Sequence, residues 1–210
     1  MDANQDRLAN PYGMDESCQH CPALCDTREN VVHGYGKVDA DFLFVGEQPS
    51  AGADENGTPF SGNDGDERFQ HILGHLGLNN SLPSNTNPEY ENVFVTYITR
   101  CRHPDRQPQQ DEITNCEPYL NAEIRMINPE ILVPVGSVAL EELGTEYTTT
   151  PVEELSITEH HATTIRGRGF EIIPMIHPQN QTDDEMEEFI DHFLSVMERD
   201  YRQTKGRRER

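Results

Sequence analysis

The stretch Asp41-Phe-Leu-Phe-Val-Gly-Glu-Gln-Pro-Ser50 decides the fold. Four apolar residues in a row, bounded by an acid and a glycine, read as a strand buried on both faces, the pattern of a parallel sheet covered by helices. Three further runs rich in Val, Ile, Leu and Phe repeat it, so that strands are expected over 41–45, 93–99, 131–135 and 170–176. Helical periodicity lies between or after them. Glu67–Leu76 puts Phe69, Ile72, Leu73 and Leu76 on one face, and Glu112–Ile127 does the same with Ile113, Leu120, Ile124 and Ile127. Ser137–Leu143 forms a shorter helix. A last helix over 182–201 opens with the capping-box pair Thr182 and Glu185. Strands alternating with helices predict one α/β domain over 1–198 that includes a cysteine-bearing N-terminal arm and is followed by a basic tail, 199–210.

In open parallel sheets ligands bind beyond the carboxyl ends of the strands. The unusual residues fall there. The first strand runs into Gly46-Glu47-Gln48-Pro49, the second into Arg100-Cys101-Arg102, the third into Gly136-Ser137 and the fourth into His177-Pro178. A carboxylate, basic residues, a helix N-terminus and an imidazole are therefore expected to converge on one rim.

Composition narrows the class. The 210 residues carry a formal charge of −22, only 34% are apolar, and Trp is absent. No apolar run approaches the roughly 20 residues needed to span a bilayer, and the first residues are polar and acidic, which excludes membrane-spanning, signal-bearing and collagen-like readings. A cytoplasmic location is expected. Six of the last twelve residues are basic (Arg199, Arg202, Lys205, Arg207, Arg208, Arg210), so the rest of the chain is more acidic still. Spread over a folded chain, that acidity reads as the solubilising surface of a salt-loving cytoplasm rather than as a statement about the ligand. No feature signals an oligomer, and a monomer is expected.

Five cysteines in a cytosolic chain point to metal or redox chemistry before structural disulfides. Cys18 and Cys21 form a Cys-x2-Cys pair, Cys101 and Cys116 lie in the second half of the chain, and Cys25 follows Cys21 closely enough to compete as a ligand. Four thiolates hold zinc or an iron–sulfur cluster. The loose second pair favours the cluster, and small buried thiols are the bland alternative.

These motifs together resemble the uracil-DNA glycosylase superfamily, especially its iron–sulfur branches, families four and five. Cys18-Gln-His-Cys21 with Arg28 to Gly36 resembles the arm. Phe44 to Ser50 with Gly57-Thr-Pro-Phe-Ser-Gly62 resembles the family-four signatures, while Ser61-Gly-Asn-Asp-Gly-Asp66 leans to family five. Cys101 to Pro108 with Cys116 resembles the second half of the cluster motif, and Glu130 to Gly136 and His177-Pro178 complete the order. The resemblance implies a three-layer α/β/α fold around a four-stranded parallel sheet and a 4Fe–4S cluster on Cys18, Cys21, Cys101 and Cys116. It further implies hydrolysis of the N-glycosidic bond of a uracil flipped out of DNA. Glu47 and His177 would act on that bond, Phe60 would stack on the base, and Gly46, Gln48 and Tyr97 would contact or shape the base site. DNA carrying uracil or another deaminated base is the implied partner, with no membrane and no nucleotide cofactor.

Departures from the family pattern bear on specificity. Tyr97 stands where family four has an Asn that helps read uracil. Ala53 replaces a second acid, with Asp54 beside it as a possible substitute, and Gln179-Asn180-Gln181 replace a Ser and an apolar wedge. They motivate a second expectation, an iron–sulfur relative that binds damaged or single-stranded DNA without cutting. Arg100, Arg102, Arg106 and the basic tail are the candidates for meeting phosphates.

Overall fold

The structure is a computed structural model that describes residue 4 and residues 6–201. Four parallel strands form its centre: β2 (Phe42–Gly46), β3 (Val93–Tyr97), β4 (Ile131–Pro134) and β6 (Glu171–Ile172). They match the four expected runs. Two edge strands of two residues each, β1 (Tyr35–Gly36) and β5 (Ile165–Arg166), add on antiparallel, and the sheet has the order β1-β3-β2-β4-β6-β5. Both edge strands are too short to leave a periodic signal in sequence. The fourth strand is shorter than its apolar run because Pro174 interrupts it, yet Met175 N–H still bonds Pro134 O at 2.9 Å.

Alternation along the strands builds two cores. Phe42, Phe44, Val95 and Val133 face α3 (Asp64–His75) and α7 (Asp183–Glu198), meeting Phe69, Ile72, Phe189 and Phe193. Leu43, Val45, Phe94 and Leu132 face α4 (Gln110–Ile127) and α5 (Ser137–Tyr147), meeting Leu120, Ile124, Ala139 and Leu143. The result is the expected three-layer α/β/α arrangement. Three short helices complete the fold: α1 (Pro22–Cys25), α2 (Ala51–Asn56) and α6 (Ile157–His160). The Thr182–Glu185 capping box is present at the start of α7. No helix among the described residues is long and apolar enough to cross a membrane.

Arg100 is not a surface cation. It is 1% exposed, and its Nη2 pairs with Glu123 Oε2 at 2.6 Å while Nη1 reaches Tyr97 O at 2.7 Å. Glu123 also accepts from Thr96 Oγ1 at 2.7 Å and from Gly34 N–H at 3.2 Å. Arg106 is likewise spent, in a two-pronged pair with Glu112 at 2.7 and 2.8 Å. His161 is buried, bonded to Glu185 O and Ile176 N–H, and Arg199 pairs with Glu171. Of the cations put forward for phosphates, Arg102 alone lines the cavity described below; Arg202, Lys205, Arg207, Arg208 and Arg210 lie outside the described residues.

Removing one partner of a buried ion pair strands the other charge. Glu123→Ala is expected to cost about 3–5 kcal/mol in chemical denaturation, whereas the joint change Arg100→Met with Glu123→Leu costs far less.

Candidate active site

A cavity of about 680 Å³ opens at the carboxyl ends of the parallel strands, and Glu47, Gln48, Phe60, Tyr97 and His177 all line it. The expected convergence of strand ends is therefore present. β2 has β3 on one side and β4 on the other, so the cavity sits where the connections diverge.

Glu47 follows β2 directly and crosses this divide. Its Oε1 accepts the Val138 N–H at 2.9 Å, at the N-terminus of α5. That contact needs the glycine before the helix. Gly136 has φ +98°, and a Cβ there would lie 2.4 Å from Glu47 Oε1. Burial is the largest influence on this carboxyl and raises its pKa above the usual range, while the hydrogen bonds from Val138 and Ser137 oppose the rise. One oxygen is thus engaged by a helix end, and lone pairs remain for a water or a substrate hydroxyl.

His177 follows β6 and the short run of chain through Met175. Its Nδ1 accepts the Gln179 N–H at 3.3 Å, which puts the proton of the neutral ring on Nε2. Burial lowers its pKa, so the ring is neutral at physiological pH and offers an N–H donor. Gln179 and Asn180 are exposed at the cavity mouth, and Gln181 is buried with Nε2 on Ile176 O at 2.9 Å. These three residues supply no apolar wedge.

The stacking aromatic is arranged differently from the expectation. Phe60 has φ +53° and is 2% exposed. Phe69 stacks on it with centroids 3.9 Å apart and Tyr97 with centroids 4.8 Å apart. Two rings that close to a third must lie on opposite faces, so both faces of Phe60 are covered. The Tyr97 hydroxyl accepts the Phe60 N–H at 2.8 Å, which fixes the ring. Gly46 makes the stack possible, since a Cβ there would lie 2.7 Å from Phe60 Cζ and 2.8 Å from Tyr97 Cδ1. Gln48 turns its amide outward to Arg106 O at 3.1 Å.

Asp54 does not replace the missing acid of the cavity. Its carboxylate accepts the backbone N–H groups of Glu29 and Asn30 at 3.0–3.1 Å and ties the arm to α2. Asp66, which sequence reasoning missed as a site residue, lines the cavity instead, bonded by Ser50 Oγ at 2.6 Å. It resembled an ordinary first-turn helix acid, and its neighbours Asn63 and Asp64 hid it among polar loop residues. Burial pushes its carboxyl up to about 6.

Cys18, Cys21, Cys101 and Cys116 line one small internal cavity, with Arg28, Arg100, Asn115 and Tyr119 around it. Cys25 does not line it; its thiol points at Cys18 O, 3.8 Å away. Arg28 Nη1 donates to Cys101 Sγ at 3.1 Å and Asn115 Nδ2 to Cys21 Sγ at 3.5 Å. Among the described residues no three His, Cys, Asp or Glu side chains are grouped to hold a single metal ion. The thiols ring a space rather than meet at a point. An all-thiol set with N–H donors aimed at its sulfurs fits a multi-iron cluster by its chemistry.

The Asp66 carboxyl binds its proton more tightly folded than unfolded, so its contribution to stability shrinks as pH rises from the ordinary 3.8 through about 6. Asp66→Asn removes that loss. The stability of the variant relative to wild type, measured by urea denaturation, should rise by on the order of 2 kcal/mol between pH 4 and pH 7.5.

Residues 33–198 match the sequence model of the Uracil DNA glycosylase superfamily. A Type-4 uracil-DNA glycosylase of Sulfurisphaera tokodaii is 40% identical over 121 residues, 57% of this chain and 50% of that protein. One of Thermotoga maritima is 32% identical over 170 residues, 78% of this chain and 77% of that protein. A Type-5 uracil-DNA glycosylase of Pyrobaculum aerophilum is 27% identical over 142 residues, covering 59% and 63%. The chain spans about half the length of the first two curated relatives it matches, the Type-4 proteins of Sulfurisphaera tokodaii and Saccharolobus solfataricus. With its three-layer fold and its cavity at the strand ends, the chain belongs to the uracil-DNA glycosylase superfamily.

Proposed function

We propose that this protein hydrolyses the N-glycosidic bond of uracil, or a related deaminated base, flipped out of DNA, and so starts base-excision repair. One observation carries the reading: a carboxylate and a neutral imidazole N–H donor share one cavity at the carboxyl ends of the parallel strands.

The chemistry asks for both groups. As the bond between the base nitrogen and the sugar C1′ breaks, its electron pair leaves with the base, so negative charge develops on the uracil and positive charge on the sugar. The His177 Nε2–H is suited to donate to the base carbonyl oxygen where that charge collects. A neutral donor holds its proton in a hydrogen bond rather than giving it up, which suits an anionic leaving base. The Glu47 carboxylate orients the attacking water, accepts its proton and faces the electron-poor sugar. Extrusion of the base costs a few kcal/mol of stacking, which contact with the Tyr97 ring at the cavity wall offsets, since Phe60 is covered on both faces. Ser50 and Asp66 add a hydroxyl and a second carboxyl at that wall.

The four-cysteine cavity is assigned to a 4Fe–4S cluster held by Cys18, Cys21, Cys101 and Cys116. It supplies a crosslink between the arm and the β3–α4 segment, and redox chemistry when bound. Cys25 stands outside the ligand set. None of the groups assigned to hydrolysis depends on it.

A second reading rests on the covered faces of Phe60: a relative that binds uracil-containing DNA without cutting, because Tyr97 fills the stacking position.

Single-turnover cleavage of uracil-containing oligonucleotides, by anaerobically purified protein in molar KCl, separates them. Glu47→Ala is expected to slow abasic product about 10²–10⁴-fold, and His177→Ala about 10²–10³-fold. Full activity in the double variant would end the hydrolytic assignment. Tight binding by wild type with no product, together with product from Tyr97→Asn, would establish the second reading.

A further inference from the structure

Arg28 follows α1 and is half-buried against the thiol cavity. Its Nη1 donates to Cys101 Sγ at 3.1 Å, and its Nη2 donates to the backbone carbonyl of Cys18. One side chain thus grips both halves of the candidate ligand set, the arm through Cys18 and the segment between β3 and α4 through Cys101. Five ion pairs occur among the described residues, and Arg28 is in none of them. The other guanidinium at this cavity, Arg100, is neutralised by Glu123 at 2.6 Å. Asn115 reaches Cys21 Sγ at 3.5 Å, a longer contact from a neutral donor.

Four thiolates outnumber the positive charge of a cubic iron–sulfide core, so such a centre is an anion, and a stronger one when reduced. In a chain of net charge −22, its burial calls for a nearby cation. We propose that Arg28 is the counter-charge of the cluster, a positioning residue whose fork fixes Cys18 and Cys101 and whose charge holds the reduction potential up. This inference rests on the cluster assignment above. The physical cause is differential: a cation and an N–H donor at a ligand sulfur stabilise the reduced, more negative state more than the oxidised one. Lysine would keep the charge but lose the two-pronged geometry.

The test uses the full chain purified without oxygen, as wild type, Arg28→Gln, Arg28→Lys and Asn115→Ala. Iron and sulfide are quantified first, and reduction potentials are then measured by voltammetry in the absence of DNA. Arg28→Gln should lower the potential, by more than Asn115→Ala does, and its visible absorbance should bleach in air several-fold faster than that of wild type. Arg28→Lys should recover part of the potential. A full cluster in Arg28→Gln with unchanged potential and bleaching would overturn the inference while leaving the cluster assignment standing. If Arg28→Gln does not retain iron, Arg28→Lys decides: a retained cluster with a potential close to wild type supports the role of the charge, and loss of iron from Arg28→Lys as well, or a potential far below wild type, overturns it. Wild type without iron and sulfide would overturn the cluster assignment and this inference together, a result that elemental analysis alone distinguishes.

Discussion

The buried pair of Arg100 and Glu123 is the joint on which both cavities depend. Both side chains are 1% exposed, which is costly for ions and is offset here by a dense set of partners. Glu123 comes from α4, Thr96 and the Tyr97 carbonyl from β3, and Gly34 from the arm, whose Val32 N–H also bonds Arg100 O at 2.8 Å. One ion pair therefore ties α4 to β3 and to the chain just before β1, where the ladder to β3 is two residues long. On one side it walls the thiol cavity, which Arg100 lines. On the other it holds the carbonyl of Tyr97, whose ring lines the cavity at the strand ends. An acidic protein has few cations to spare, and placing one here removes it from any part in phosphate binding.

The larger cavity at the strand ends is built by similar trade-offs. Glu47 is pulled two ways, since burial favours its neutral form and the α5 amide favours its charge. The glycine at 136 exists to let that contact form. His177 is held neutral by burial alone, and a backbone N–H at its Nδ1 decides which nitrogen donates. Backbone N–H groups near the strand ends contact both, with Ser137 adding to those on Glu47. With Arg100 and Arg106 paired internally, a nucleic acid reaching this cavity meets Arg102 and backbone donors more than a basic field.

The centre of the fold was legible because its strands are buried on both faces, and a run such as Phe42 to Val45 admits little else. The cavity was legible because parallel sheets put ligands at strand ends, and Glu47 and His177 stand at two of them. What escaped follows from side-chain reach and from burial of charge. Arg100 read as a surface cation because sequence does not show that Glu123, one residue before Ile124 on the apolar face of α4, points into the same core. Asp66 was hidden by its place in the first turn of α3, where acids are ordinary, and Asp54 drew attention that belonged to it. The Phe60–Tyr97 stack depends on Gly46, which is distant from both in sequence and marks the approach only once β2 and β3 are paired. The edge strands, at two residues each, are shorter than any period they could display.

The most direct test of the account is a crystal structure of the protein with a uracil-containing strand whose sugar carries a 2′-fluorine that blocks cleavage. The account predicts the uracil extruded into the cavity, its carbonyl oxygen within hydrogen-bond distance of His177 Nε2 and a water held by Glu47 near C1′. A uracil that stays stacked in the DNA, with Tyr97 still closing Phe60 and neither Glu47 nor His177 in contact with the nucleotide, would contradict it.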